Sequence, residues 1–365
     1  MARRTLGALK MITRRPQGGG KPRPLSLVGM VLLVVGLLPW GAVEGNGLLL
    51  AQVHQGTTGY TPHRVYDTRA KRFVDLETML LDLSRTNLVM VGEQHDDPSS
   101  HRLERAILEG LARRRGQLVV SLEMFERDVQ SQLNDYLAGR LSEESFLAAA
   151  RPWPNYQSDY RPLVELAKAH QWPVLASNIP RKYASRISRE GTGFLATLPA
   201  EERALIARES SCPMDGYFER FVEAMSSHPS GNTQGQTAQA GANSGDKTRK
   251  SPPDPRQQSL MERFYLAQCL KDETMAESIA SRFAAASPSP ESQREPLIVH
   301  FNGAFHSDFR LGTADRVERR APRQQMKVVT LLPVTDLDQL DPKPERKRAD
   351  YLVYTMRPRT KAGTP

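Results

Sequence analysis

The stretch TNLVMVGEQHDDPSSHRLERAILEGLARRRGQLVVSLEMF, Thr86 to Phe125, decides the fold class. Its opening, Thr86 to Glu93, is a short apolar run ending in a glycine and a carboxylate, and GQLVVSLEMF (116–125) repeats that form. Between the two, Leu103, Ile107, Leu108 and Leu111 recur at helical spacing, so His101 to Arg114 is predicted as a helix with one apolar face. The polar insert DDPSS supplies turn formers, and Ser99 or Ser100 is expected to cap that helix. Strand, helix and strand in this order predict a parallel pair with a helix laid over it.

Further along the chain the pattern persists. QWPVLASNIP (171–180), EPLIVHFNG (295–303) and MKVVTLLPV (326–334) read as strands, and ADYLVYTM (349–356) as a last one. Helical spacing covers 128–138, 160–170 and 180–189. The expectation is an α/β fold: a mostly parallel sheet flanked by helices, as one domain over 60–335. A segment of about 199–286 departs from the alternation and reads as helices only, with Leu260, Phe264 and Ala267 on one face and Met275, Ile279 and Phe283 repeating every four residues. Inside it, 226–257 is rich in Gly, Ser, Gln and Pro and is expected to be a disordered insertion.

Charge is distributed unevenly over the 365 residues. The net charge is +9, but residues 1–24 carry seven Lys or Arg and no acid, and 342–365 add +5, which leaves the body at −3. A basic groove for nucleic acid is therefore not expected. After the cationic start comes LSLVGMVLLVVGLLPW (25–40), so 1–45 reads as an export signal, cleaved near 42–45 or kept as a membrane anchor through 25–43. The body is expected outside the cytoplasm, in the cell envelope, with 336–365 as a final strand and basic tail. Cys212 and Cys269 can pair in an oxidising compartment, or stay a loop thiol and a small apolar helix residue.

Three predicted strands lead into polar residues that the fold itself does not require: Glu93 and His95, Glu123, and His306. Parallel strands present their carboxyl ends at one edge, so these side chains are expected to converge there. Two imidazoles and two carboxylates suit acid–base work or a divalent metal. Asp96, Asp97 and Pro98 read as helix entry, and His101 by its position alone as a surface residue. No dinucleotide fingerprint, P-loop or nucleophile elbow is present in the sequence.

Five segments in register, VGEQHDDPSSH, SLEMFERDVQSQLNDYLAG, DYRPLVELAKAHQWPVLASNIPRK, FYLAQCLKDETMAESIA and NGAFHSDFRLG, resemble the ChaN-type haem-binding uptake proteins of the Tiki and erythromycin-esterase-like superfamily. The resemblance spans roughly 66–333. Gly92, Glu93, His95, Asp96 and His101 match the family's G-E-x-H-D segment, Glu123 its second-strand carboxylate, and Asn178, Pro180 and Arg181 the turn after the third strand. Gln268, Asp272 and Met275 match the helix motif, and Gly303 and His306 the late Gly and His.

The resemblance implies an envelope protein of haem or iron uptake, a homodimer with haem between helices of two subunits. It implies a tyrosine on the iron, with Tyr217 and Tyr265 as the candidates here, and His95, His101, Arg181 and His306 as further cofactor contacts. The chain departs from many family members in lacking a lipid-acceptor Cys after the apolar run. The competing reading is a hydrolase of esters or peptides, in which Glu93, His95, Glu123 and His306 are catalytic or hold the metal.

Overall fold

The computed structural model describes residues 60–227, 255–285 and 295–357. The expected signal or anchor of 1–45, nearly all of the expected insertion and the last residues of the basic tail lie outside the described residues. Residues 226–227 and 255–257, placed by the sequence in that insertion, instead end one helix and begin the next.

The sheet is built from eight strands: β1 (His63–Asp67), β2 (Arg72–Val74), β3 (Leu88–Glu93), β4 (Leu118–Glu126), β5 (Val174–Asn178), β6 (Leu297–Gly303), β7 (Met326–Val334) and β8 (Tyr351–Met356). Their order is β2-β1-β8-β7-β3-β6-β4-β5. The six strands from β8 to β5 run parallel, and β1 and β2 close one edge as an antiparallel hairpin. The α/β reading holds; the hairpin is an addition that the alternation did not predict.

Period-two alternation on β3 explains the two layers. Val89 and Val91 face a core shared with α1 (Leu76–Leu83), α2 (Pro98–Ala112), α3 (Gln130–Leu137), α4 (Glu143–Ala150) and α5 (Arg161–Ala169). Leu88 and Met90 face the opposite core. Two further helices, α6 (Arg181–Glu190) and the short α7 (Ala200–Arg203), lead to α8 (Gly216–Ser227) and the long α9 (Pro255–Ala285). Ala276, Ile279 and Phe283 of α9 pack on that second face beside Ala314 and Val317 of α10 (Thr313–Arg320).

Several expectations are corrected in detail. The cap of α2 is Asp97, whose carboxylate accepts from the Ser100 amide at 3.0 Å, rather than Ser99 or Ser100, and Pro98 opens the helix. Leu260, Phe264 and Ala267 do not share one buried face: Leu260 is exposed, Phe264 is partly buried against the Tyr217 and Tyr265 cluster, and Ala267 packs with Ile179 and Tyr183. Of the two states left open for Cys212 and Cys269, the structure holds the disulfide, which ties the loop before α8 to α9.

What positions the site is the insertion of β6 between β3 and β4. Glu93 pairs in register with Gly303, and Leu122 with Phe301. Gly92 must be glycine because a Cβ there would lie 2.9 Å from the Ala304 Cα, where the chain leaving β6 crosses it.

Candidate functional site

The carboxyl ends of β3, β6 and β4 bring together two clusters that share one backbone segment, Gly303. On one side stands Glu93, buried at the end of β3. His95 Nδ1 lies 2.6 Å from Glu93 Oε1, and the Tyr160 hydroxyl donates to the same oxygen at 2.8 Å. His101 Nδ1 lies 2.9 Å from Glu93 Oε2 and 3.1 Å from Glu104 Oε2. The expectation of a surface position for His101 is wrong, because the first turn of α2 points into the sheet edge and not away from it: its side chain is 3% exposed.

Burial disfavours the charged form of Glu93, yet hydrogen bonds from His101 and His95 prevail and hold it at about 2. Burial also opposes charge on His101, but Glu104 and Glu93 outweigh it and raise the imidazole to about 11. Glu104, desolvated beside the ionised Glu93, is pushed well above the usual carboxylate range. His95 differs from these in being reachable. Its side chain is 43% exposed, its ring meets Trp153 edge-on at 4.9 Å, and Gly303 leaves room for its Nε2, which a Cβ there would approach to 2.6 Å.

The second cluster runs inward. The Gly303 amide donates to Glu123 Oε2 at 2.7 Å, and His306 Nε2 stands 3.2 Å from Glu123 Oε1. The other ring nitrogen, Nδ1, lies 2.7 Å from Asp272 Oδ1. Thr313 donates to that same oxygen at 2.8 Å, and Tyr217 to Asp272 Oδ2 at 2.7 Å. Burial alone would lower His306, but the Glu123 and Asp272 carboxylates hold it at about 10. Burial likewise opposes ionisation of Glu123, and the charge on His306 drives it below the usual carboxylate range nonetheless.

The strand-end residues therefore converge as expected, but as an ion-paired line and not as a four-ligand metal set. The compact group with metal-ligating geometry among the described residues is Glu93, His101 and Glu104. Arg181 stands apart from both clusters, its guanidinium engaged by Glu126 and the Arg151 carbonyl.

The two candidate tyrosines are both buried. Tyr265 donates to the Pro213 carbonyl at 2.7 Å inside an aromatic cluster with Phe218 and Phe221. Burial and Asp272 push the Tyr217 phenol well above its ordinary value. Tyr217, however, is among the residues lining a cavity of about 330 Å³ whose walls include Phe305, Phe309 and Leu311, with Arg220 and Arg348 at its side. Arg220 lies 3.4 Å from the centre of the Phe309 ring. The lining also carries Glu223 and Asp308, the latter paired with Arg348 at 2.8 Å, so it is the aromatic walls and Arg220 that fit the chemistry of a flat apolar ring bearing carboxylates.

Sequence reasoning missed Glu104, Asp159 and Tyr160. Glu104 carried a signal: it lies three residues from both His101 and Ile107, so it is a carboxylate on the apolar stripe of α2. Asp159 and Tyr160 lie in a turn of π type, Tyr156–Tyr160, and nothing in their spacing marked them.

A family model described as haem-binding uptake, Tiki superfamily, ChaN, matches residues 79–317. The protein RETICULATA-RELATED 5, chloroplastic, of Arabidopsis thaliana is 24% identical over 283 residues, 75% of this chain and 34% of that protein. The chain thus spans about a third of that relative's length. Among solved structures, ChaN of Campylobacter jejuni, described by its cofacial heme binding, superposes with a TM-score of 0.55 at 15% identity, over 81% of this chain and 97% of that one. That likeness shows the fold.

Proposed function

The chain belongs to the haem-binding uptake family of the Tiki superfamily, ChaN, and on that premise we propose that it binds haem at the aromatic cavity beside α8 and serves haem or iron handling in the cell envelope. The observation that carries this reading is the cavity itself, in which Tyr217, Phe305 and Phe309 form apolar walls beside Arg220, while Arg348 at its side is paired with Asp308 and Glu345. Tyr217 is the better placed tyrosine for the iron, since it lines the cavity. Tyr265 is enclosed by its neighbours.

Export agrees with the cationic and apolar start of the chain and with the Cys212–Cys269 disulfide, a bond that persists in oxidising compartments. Residues 25–43, if retained, anchor the protein to the membrane. Among the described residues no helix is long and apolar enough to cross a membrane. A homodimer, with the cavity of one copy covered by the other, completes the proposal.

Titration of the purified chain with haem, followed at the Soret band, tests the binding. Tyr217→Phe should change the band and weaken binding, whereas Tyr265→Phe should leave the spectrum unchanged. Saturable binding that is unaltered in Tyr217→Phe and in Arg220→Ala/Arg348→Ala would place haem elsewhere.

One observation favours a second reading. His95 is held through Nδ1 by an ionised carboxylate, its side chain is half-exposed and its Nε2 lies beside Gly303, the arrangement of an oriented acid–base imidazole. On this reading the chain hydrolyses an ester or peptide, with Glu123 and His306 ordering the site. No haem binding, together with hydrolysis of a test ester that His95→Ala abolishes, would select it.

A further inference from the structure

The environment of His101 is built like that of a metal ligand. Its Nε2 faces two acceptors, Asp159 Oδ2 and the His95 carbonyl, each at 3.3 Å, so that nitrogen carries a proton. The other nitrogen, Nδ1, faces Glu93 Oε2 at 2.9 Å and Glu104 Oε2 at 3.1 Å. A neutral ring held in this tautomer aims a lone pair at two carboxylates, and a single proton on Nδ1 can satisfy only one of them. Glu104 Oε1 is buried without a hydrogen-bond partner, and Glu93 Oε2, also buried, meets the His101 nitrogen at 2.9 Å. Among the described residues, the ion pairs of Glu93 and Glu104 are with histidines and with no Lys or Arg.

We propose that Glu93, His101 and Glu104 form a binding site for a divalent first-row transition-metal cation, distinct from the haem cavity and independent of the haem reading. An ion about 2.1 Å from each ligand holds neighbouring ligand atoms about 3.0 Å apart in octahedral and about 3.4 Å apart in tetrahedral geometry; the His101 nitrogen stands 2.9 and 3.1 Å from its two carboxylate oxygens, and all three ligand atoms lie within 4.8 Å of one another. The outer contacts follow the pattern of metal sites: the far N–H of the ligating imidazole points at a carboxylate and a carbonyl, and Glu93 Oε1 is held by His95 and Tyr160. One imidazole with two carboxylates suits manganese, iron or zinc better than calcium or magnesium, which prefer oxygen alone. His95, on the open side of Glu93, marks the route of entry.

The test uses the haem-free chain after chelator treatment, titrated with Co²⁺ as an optical probe and then with Zn²⁺ as competitor. One equivalent of Co²⁺ should bind, with ligand-field bands that Zn²⁺ removes. Glu104→Gln and His101→Gln should weaken binding at least about tenfold. Should either variant fold poorly, the thermal midpoint of the unaltered chain gives a second readout and should rise on adding one equivalent of Zn²⁺. No ligand-field bands and no shift in midpoint with Co²⁺, Zn²⁺ or Mn²⁺ would overturn the proposal and leave protons as the occupants. Binding that survives Glu104→Gln but is lost in Glu123→Gln would overturn it too, by placing the ion in the other cluster.

Discussion

A methyl group added at Gly92 meets the backbone of Ala304, whereas one added at Gly303 meets the ring of His95, and the two should behave differently. Backbone at 2.9 Å cannot move aside without disturbing the β3–β6 crossing, so Gly92→Ala should destabilise the protein by about 1–3 kcal/mol, read as a lower urea midpoint at unchanged slope. Half-exposed His95 can swing outward, so Gly303→Ala should leave the midpoint close to the original. Its signature is local: freed from Glu93, His95 should titrate nearer an ordinary histidine by NMR, since its present rise depends on the Glu93 hydrogen bond and the Glu123 charge outweighing burial.

His306 gives the pH dependence its sign. Its folded value of about 10 lies above the ordinary 6.5, so the stability it contributes is complete below about pH 6.5 and is lost as pH rises toward 10. Glu123 is shifted down, so its contribution is complete above about 4.5 and is lost as acid protonates it. The alkaline loss should therefore be shallower in His306→Gln than in the unaltered chain, and chemical denaturation across pH 6 to 10 measures it. Equal slopes in the two proteins would refute the assignment.

Among the elements, α8 and the start of α9 depend on a covalent tie. The disulfide joins Cys269, fully buried on α9, to Cys212 just ahead of α8, across 57 residues of sequence. Replacing both cysteines with alanine should cost about 2–4 kcal/mol, seen as a lower denaturation midpoint, with the largest loss of amide-hydrogen protection in 211–227 and 261–272. The strands β3 to β8 were legible in the sequence because each is a short apolar run bounded by turn residues. The hairpin was not, since β2 has only three residues and lies at the sheet edge, too short to show a period. Helix α4 was missed because EESFLAAA offers only two adjacent large apolar residues, Phe146 and Leu147, which show no helical period, and the burial of Phe146 depends on contacts with Phe125 and Tyr136 that lie elsewhere in the chain. In the site, Glu93, His95, Glu123 and His306 were legible because strand ends are predictable from the alternation. The partners that fix their charge, Glu104, Asp159 and Tyr160, come from helix and turn positions whose approach depends on tertiary packing.

At the scale of the molecule, the two candidate regions lie at different depths of one architecture. The parallel sheet gathers charge at the carboxyl ends of β3, β6 and β4, and the added helices α8 and α9 supply the aromatic surface that the sheet lacks. Tyr217 joins the regions: it lines the cavity, and its hydroxyl begins the line through Asp272 and His306 to Glu123. Around the same helices the chain leaves Met214, Met225 and Leu260 exposed, large apolar side chains on elements otherwise covered with polar groups. A cavity of about 330 Å³ open on one side encloses a flat apolar ligand poorly by itself, and a second copy laid over α8 and α9 would bury both the ligand edge and these side chains. Haem should therefore shift the chain from monomer to dimer in sedimentation velocity at micromolar concentration. The double variant Met225→Glu/Leu260→Glu should remain monomeric and bind haem less tightly, by about 1–3 kcal/mol for two lost apolar contacts. A haem-loaded chain that sediments as a monomer, with both affinities equal, would confine the ligand to a single subunit and assign those exposed side chains to no shared surface.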